Sequence, residues 1–524
     1  MDLGSALSRS AERFPRRRAV GGPRPLTYAQ WDTRTDQLAR GLLARGVRPG
    51  QRVLAMLRGG EPLASLHLAV NKLGAVCVPL SVRFGPAEVA YCLRDCAPVL
   101  VIADETTEAA LAEALPPVTD LADLLSRGAA ADGLALPPPP PENAISVMLY
   151  TSGTTGRPKG VPRSHRAEYA AAVAHLIQAR QPMGAVSLGV MPLFHTMGLR
   201  TLLASVLGSG TWVPQAAFDA AESAELIEAE RVDTLYLVPT AYWSLARTGG
   251  LGNLRSLRRL AYAGAPMSPA LTAELVETVG PDCLVNHFGS TEIYTFSVSS
   301  DAVGKPGCAG RAGVFGRLRL VSPEPGAPPG ATVPDGEPGQ VIVAMDSPEA
   351  FGGYWHRADA DAKAIRDGWY YTGDLGRLDG GGDLWVSGRV DDMINSGGEN
   401  IYPDEIERVL ASAPGVDQVV VSGTPHEKWG SAVTAFFVPS SGPAGGGAAA
   451  NGAVIARLDD WVRTKSGLPS VKRPKRYVAV ASIPTSAVGK ILRRQLTTDS
   501  PAVIADSYRE AGGHSEAPGG PDDR

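Results

Sequence analysis

Cysteine is scarce in this chain, five residues in 524 (Cys77, Cys92, Cys96, Cys283 and Cys308), and the number is odd. That excludes a disulfide framework as the source of stability and suits a reducing compartment. Cys92 and Cys96 stand four apart, as on one helix face. No second pair or nearby histidine completes a zinc ligand set, so ordinary packing is expected of them. None of the eight histidines lies in an HExxH pattern, which removes that zinc-enzyme arrangement. No apolar run approaches the roughly 20 residues that a membrane helix requires. The opening MDLGSALSRSAERFPRRR lacks the basic-then-apolar order of a signal peptide. A soluble, cytoplasmic protein with no membrane partner is therefore expected. Strong charge is missing too: net −4 with a pI near 6.1 supplies no general drive toward nucleic acid. Internal repeats are absent. Even lysine is rare, occurring only at 72, 159, 305, 363, 428, 465, 472, 475 and 490, so each one merits separate inspection.

At this length more than one core is expected. Residues 27–45 have helical periodicity, with Trp31, Leu38, Leu42 and Leu43 available to one face. Short apolar runs at 52–57, 75–80, 99–103, 187–193, 234–239, 257–264 and 283–289 alternate with helical stretches. That alternation predicts open, mainly parallel sheets. SRGAAADGLALPPPPPEN (126–143) reads as a linker by composition. Between 310 and 390, short strands separated by Gly/Pro turns predict a barrel-like or sheet-like β region. Beyond Arg389 a compact α+β pattern has a helix at 403–413, strands at 416–423 and 434–439, and a flexible loop at 439–452. Residues 501–524 read as a flexible tail.

The most informative stretch is YTSGTTGRPKGV (150–161). Thr151, Ser152, Thr154 and Thr155 offer hydroxyls, Gly153, Gly156 and Gly160 permit close backbone approach, and Lys159 adds a fixed charge. ISVMLY (145–150) before it reads as a buried strand, and a strand feeding a Gly-rich loop is where α/β proteins bind phosphates. GxxxxGK[ST] cannot be placed on it, so it is not a Walker A loop. Further segments follow in order. MPLFHTMGL (191–199) sets Phe194 and His195 after a strand, and HFGSTEI (287–293) continues a strand end with Gly289, Ser290, Thr291 and Glu292. YYTGDLG (370–376) presents Asp374 from a turn between strands. GRVDDMINSGGENIYPDEIE (388–407) holds Arg389, Asp391, Asp392, a double glycine and a helix start. IPTSAVGKILRRQL (483–496) places Lys490 after a glycine, beside Arg493 and Arg494.

In this order and spacing, from residue 25 to 497, the segments resemble the acyl-adenylate-forming superfamily. That superfamily contains acyl- and aryl-CoA synthetases, peptide-synthetase adenylation domains and luciferases. GGENIYPDEIERVL, HEKWGSAVTAFFVP and KRPKRY are similar to CoA ligases of the 4-chlorobenzoate type. The resemblance implies an α/β fold: a large N-terminal domain (1–390) of two doubly wound α/β subdomains plus a small distorted β-barrel. A small mobile α+β C-terminal domain (391–500) would follow. It implies two steps. A carboxylate attacks the α-phosphorus of Mg²⁺-ATP, giving acyl-AMP and pyrophosphate; a CoA thiol then attacks the acyl carbon and expels AMP.

In family terms Thr151, Ser152, Gly153, Thr154, Thr155 and Lys159 would hold the β- and γ-phosphates, and Glu292 would help bind Mg²⁺. Gly264, Ala265, Pro266 and Phe288 would flank adenine, with Gly289, Ser290 and Thr291 also in the AMP site. Asp374 would accept from the ribose hydroxyls, with Arg389 close by. Lys490 would be the catalytic lysine of the first step and Asp391 the hinge. His195 would line the acid pocket and gate the thiol, joined by Ala263, His287, Gly289, Tyr294 and Thr295. Gly398 and Glu399 would border the CoA tunnel with Trp429 at its wall, and Arg83, Lys472, Arg473 and Lys475 would meet the CoA phosphates. Val471 stands where relatives carry an aromatic for the CoA adenine. The implied substrates are a carboxylic acid, aromatic or cyclic, with ATP and CoA; the assembly would be a monomer or homodimer. Phe288 replaces the usual Tyr, and His287 occupies a position more often Gly or aliphatic. These departures leave open a variant that runs only one half-reaction. An adenylation enzyme loading a carrier protein is a further alternative, although the Asp usual near PLFH in such domains is missing.

Overall fold

The computed structural model describes residues 1–104, 117–151, 158–248, 254–396, 399–427, 429–440, 448–470, 472–485, 491–498 and 503–508. The chain divides into two compact units, Met1–Thr372 with Arg377–Trp385, and Gly373–Gly376 with Val386–Arg524.

Two mainly parallel sheets organise the first unit. One has six strands in the order Val118–Thr119, Leu100–Ala103, Arg52–Met56, Val76–Pro79, Ile145–Thr151 and Lys159–Ser164, of which only the last pair is antiparallel. Its strands are apolar at nearly every position because helices cover both faces. Val53, Ala55, Leu100 and Ile102 enter one core, while Leu54, Met56, Val101 and Ala103 enter another. This is the two-residue alternation of an extended chain. Nine strands make the second sheet, whose parallel centre runs through Cys283–Phe288, Arg259–Ala263, Thr234–Leu237, Val186–Gly189 and Thr211–Pro214. A third, half-barrel sheet contains Leu318–Val321, Gly339–Ala344, Ile365–Arg366, Trp369–Leu378 and Leu384–Arg389. Cys92 and Cys96 are both buried in the helix Pro86–Cys96, as packing residues.

The helix Tyr28–Ala44 begins at a capping box. The Gln30 N–H donates to Thr27 Oγ1 at 3.3 Å, and the Thr27 N–H donates to Gln30 Oε1 at 2.9 Å. Trp31, Leu38 and Leu42 are fully buried along it, with Leu43 at the margin. The linker expected at 126–143 is corrected at its start, since Leu121–Ala130 is a helix packed on Tyr28–Ala44. A Cβ at Gly41 would lie 2.0 Å from the Leu124 carbonyl oxygen, and one at Gly128 would lie 1.9 Å from that of Gln37. The two glycines are the close approach of the two helices, not linker flexibility.

The second unit pairs Val416–His426, Gly430–Pro439, Arg476–Val480 and Val503–Tyr508 in one sheet, with helices Pro403–Leu410 and Ala448–Thr464. Adjacent residues diverge to opposite faces: Val421, Phe437 and Ala479 pack with Ile406, Leu410 and Leu458, whereas Val420, Phe436 and Val478 pack with Leu496. The strand Val503–Tyr508 falls inside the segment expected as a flexible tail, and the helix Ala448–Thr464 begins inside the run expected as a loop.

Candidate active site

The ends of the segment 150–161 lie on two paired strands. Ile145–Thr151 pairs antiparallel with Lys159–Ser164, and Thr151 and Lys159 are the last partners of the ladder, on either side of the connecting segment. Chain direction is thus reversed by a strand rather than carried into a helix. Ser152, Gly153, Thr154 and Thr155 lie outside the described residues. Lys159 Nζ sits 4.2 Å from the centre of the Tyr354 ring, a cation–π geometry. The Tyr354 hydroxyl in turn donates to Glu292 Oε1 at 2.6 Å. Burial, and then the Glu292 charge, push the Tyr354 phenol well above its ordinary value, so it remains a donor.

Buried groups fix the backbone beneath Glu292. Arg163, fully buried, donates from Nη1 to the carbonyl oxygens of Thr291 and Glu292 at 3.1 and 3.2 Å and from Nε to Glu168. The Phe351 N–H donates to the Glu292 carbonyl at 2.9 Å. Removing one member of a buried pair such as Arg163–Glu168 costs about 3–5 kcal/mol, which makes this support rigid. The turn before Glu292 is equally constrained. Ser290 N–H donates to the Ile293 carbonyl at 3.0 Å, and a Cβ at Gly289 would lie 2.1 Å from the Tyr294 carbonyl oxygen. Only glycine fits there. Tyr354, Arg163 and Glu168 carry no sequence signal of this role; their partners are distant in the chain.

Ala263 and His287 are register partners on the parallel strands Arg259–Ala263 and Cys283–Phe288. Gly264, Ala265 and Pro266 form an exposed turn just past Ala263, with Gly264 at φ +90°. Phe288 meets Phe296 edge to face at 5.2 Å. His195 caps the helix Thr196–Leu207: the Met197 N–H donates to its Nδ1 at 3.4 Å, which assigns the proton of a neutral ring to Nε2. The His287 ring joins His175 and Tyr236, with centroids 5.6 and 5.3 Å away, and those two lie 5.0 Å apart. Burial, then the nearby Arg200 charge, hold His287 well below its ordinary value and bring His175 down to about 3. Both rings are therefore neutral at physiological pH. Arg200 is engaged by Glu349 at 3.2 Å and by the Thr295 hydroxyl. Thr295 also donates to Glu349 at 3.1 Å. Tyr294 stacks under Arg163, whose guanidinium carbon is 3.7 Å from the ring centre, in the core cluster that contains Leu193 and Leu199.

In the second unit Asp374 is corrected from a turn to mid-strand, within Trp369–Leu378. Gly373 before it takes φ +76°, and Arg389 Nη1 donates to Asp374 Oδ1 at 2.9 Å. Asp391 lies in the 3₁₀ turn Val390–Asp392. Arg493 reaches three carboxylates: Asp404 at 2.8 Å, Asp392 at 3.4 Å and Glu407. Lys472 pairs with Glu405 at 2.8 Å, Arg473 Nε donates to the Leu468 carbonyl at 2.9 Å, and Lys475 Nζ to that of Ser470 at 3.0 Å. Burial, then Arg473 and Arg463, lower the Lys475 ammonium. Trp429 stacks on His426 at 4.4 Å. Glu399 is placed by its backbone in the strand Glu399–Ile401. Lys490, Gly398 and Val471 lie outside the described residues. Arg83 belongs to the first unit, where its N–H donates to Ser81 Oγ at 3.2 Å. Among the described residues no group of three His, Cys, Asp or Glu forms a self-contained metal site, and no helix is long and apolar enough to cross a membrane.

Two family profiles match the chain: AMP-binding enzyme over residues 7–355, and AMP-binding enzyme C-terminal domain over 405–490. A feruloyl-CoA synthase from Amycolatopsis sp is 34% identical over 94% of this chain and 98% of its own length. A 4-chlorobenzoate–CoA ligase from Pseudomonas sp. (strain CBS-3) is 35% identical over 95% of each. Among solved structures, o-succinylbenzoate CoA synthetase (MenE) from Bacillus subtilis with the acyl-adenylate OSB-AMP has a TM-score of 0.82 at 27% identity, over 95% of this chain and 99% of that one. The same enzyme with ATP and magnesium ion has a TM-score of 0.80 at 26% identity, covering 94% and 99%.

Proposed function

The chain belongs to the AMP-binding enzyme family and is an ATP-dependent acid–CoA ligase acting through an acyl-AMP, and we propose that its acid is aromatic or cyclic. The observation that carries the aromatic assignment is the ring trio of His175, on the helix His165–Gln178, with Tyr236 and His287 on central strands, His287 being the register partner of Ala263. Relatives whose names specify feruloyl and 4-chlorobenzoate support it.

The first step joins two anions, so the chain must supply positive charge and fixed donors where charge develops. Thr151, Ser152, Gly153, Thr154, Thr155 and Lys159 hold the β- and γ-phosphates, a reading supported by Thr151 and Lys159 being paired across the two strands. Glu292 is a buried carboxylate that joins no group of three His, Cys, Asp or Glu among the described residues, and a single hard oxygen donor of this kind would fit a Mg²⁺ bound chiefly through ATP phosphates and water. When bound, the ion neutralises phosphate charge. Tyr354 then acts as a positioning residue: its hydroxyl fixes one Glu292 oxygen and its ring face steadies Lys159. Gly264, Ala265, Pro266, Phe288, Gly289, Ser290 and Thr291 form the adenine and AMP wall. Asp374, oriented by Arg389, accepts from the ribose hydroxyls. Lys490 neutralises the attacking carboxylate and the ester oxygens of ATP. Its withdrawal through a hinge at Asp391 opens the way for the thiol, past His195 and along Gly398, Glu399 and Trp429. Arg83, Lys472, Arg473 and Lys475 contribute the charge that holds the nucleotide end of CoA.

The test separates the half-reactions. Acid-dependent exchange of pyrophosphate into ATP is measured over aromatic, alicyclic and aliphatic acids, and thioester formation from supplied acyl-AMP is measured independently. Preference for aromatic or cyclic acids in both assays is expected; a preference for aliphatic chains overturns the assignment.

A further inference from the structure

We propose that His175, Tyr236 and His287 form a recognition site for a hydroxyl on the acid's ring, making the enzyme selective for hydroxylated aromatic acids. This rests on the aromatic-acid reading above and goes beyond it in naming the substituent.

Both nitrogens of His175 and both of His287 lack a hydrogen-bond partner, and the two residues are only 1% and 2% exposed. Buried polar groups are almost always paired in folded proteins, by protein, water or ligand. Four unpaired imidazole nitrogens within one ring cluster therefore mark a place where a polar partner belongs. The surroundings say what kind. Tyr236 shares an apolar cluster with buried Met197, Ala261, Cys283 and Val285, against which half-buried Met191, Val238, Ala263 and Val298 pack. Apolar side chains around a few convergent polar atoms are the usual lining of a selective small-molecule site.

Charge decides between substituents. Each neutral imidazole presents one donor and one acceptor, which a hydroxyl complements in both directions. A second carboxylate is acceptor-only and needs a cation; Arg200 keeps a buried, unpaired Nε, but its charge is already balanced by Glu349 at 3.2 Å. A bare or methylated ring leaves the nitrogens unpaired. Aliphatic residues at 175 and 287 would hold such a ring without that cost. Tyr236, buried with them and edge-on to His287, has its hydroxyl beside Arg200 and joins the cluster through its ring face and edge.

Thioester formation is compared for benzoate, phenylacetate and cinnamate and their meta-hydroxyl, para-hydroxyl, para-methyl and para-carboxyl derivatives. The enzymes are wild type, His287→Leu and His287→Gln. In at least one series the hydroxylated acid is expected to exceed its parent in kcat/KM by about tenfold or more, mainly through KM. His287→Leu should compress that ratio to about twofold, and His287→Gln, which keeps a donor and an acceptor, should retain part of it. Wild-type enzyme that uses parent or methyl acids as well as hydroxylated ones in every series overturns the proposal. So does a Leu variant that keeps the full ratio. If the Leu variant does not fold, the wild-type ratios and the Gln variant decide. Failure of the aromatic reading looks different: no aromatic acid of any series then supports pyrophosphate release while aliphatic acids do, and both proposals fall.

Discussion

Replacing Tyr354 with Phe removes one oxygen from the candidate active site and leaves the ring beneath Lys159. That oxygen donates to the buried Glu292 carboxylate at 2.6 Å, and the two residues are 6% and 7% exposed. A hydrogen bond to a charged, buried acceptor contributes about 1.5–3 kcal/mol. Spent on holding Glu292 toward Mg²⁺-ATP, that is roughly a 10- to 100-fold fall in kcat/KM for ATP, with a raised Mg²⁺ requirement. Conversion of supplied acyl-AMP to thioester needs neither ATP nor the metal and should change little. Tyr354→Leu also discards the ring face 4.2 Å from Lys159 and should lose about a further 0.5–2 kcal/mol. Steady-state adenylation over a Mg²⁺ titration, with the thioester half-reaction as the internal control, reads all of this. A Phe variant with wild-type ATP efficiency and Mg²⁺ dependence, or with equal losses in both half-reactions, refutes the positioning role.

Lys490→Ala should abolish acyl-AMP formation while still converting supplied acyl-AMP to thioester; undiminished pyrophosphate release by the variant removes the lysine from the first step. Asp391→Pro fixes φ in the turn Val390–Asp392, so it should spare adenylation and impair thioesterification. Equal loss of both would rule out a hinge there. Arg493→Met strands Asp404 and Glu407, half-buried carboxylates whose protonation is already raised by burial against the opposing Arg493 charge. Folded protein then holds more protons than unfolded. The variant should lie close to wild type in acid, where both carboxylates are protonated. It should fall behind by about 1.5–3 kcal/mol as pH rises through their raised values toward neutrality. Thermal melts across pH test the sign, and a gap that narrows with rising pH contradicts it.

The two mainly parallel sheets are legible in the sequence because strands buried on both faces must be apolar throughout, as Leu54 and Val53 or Val101 and Leu100 are. Composition fails at Gly128. The same residue that suggests a linker is what lets the helix Leu121–Ala130 touch Tyr28–Ala44, a close approach with no local signature. Asp374 reads as a turn because of the Gly before it, yet Gly373 takes its positive φ within a strand and leaves Asp374 beside Arg389. Motif residues such as Thr151, Lys159 and Glu292 are visible because their chemistry is local to short segments. The groups that orient them are not: Tyr354, Arg163 and Glu168 sit in unremarked stretches and matter only through contacts between distant strands. For the same reason His175 carries no signal on a helix of ordinary composition, and acquires one only when His287 and Tyr236 close around it.

Acid-dependent exchange of labelled pyrophosphate into ATP, followed in the same tube by addition of CoA, tests the two-step assignment most directly. Exchange that requires an aromatic or cyclic acid and Mg²⁺, then stoichiometric AMP and acyl-CoA once the thiol is added, is the expected result. Thioester formation without any acid-dependent exchange, or exchange without transfer to CoA, would contradict it.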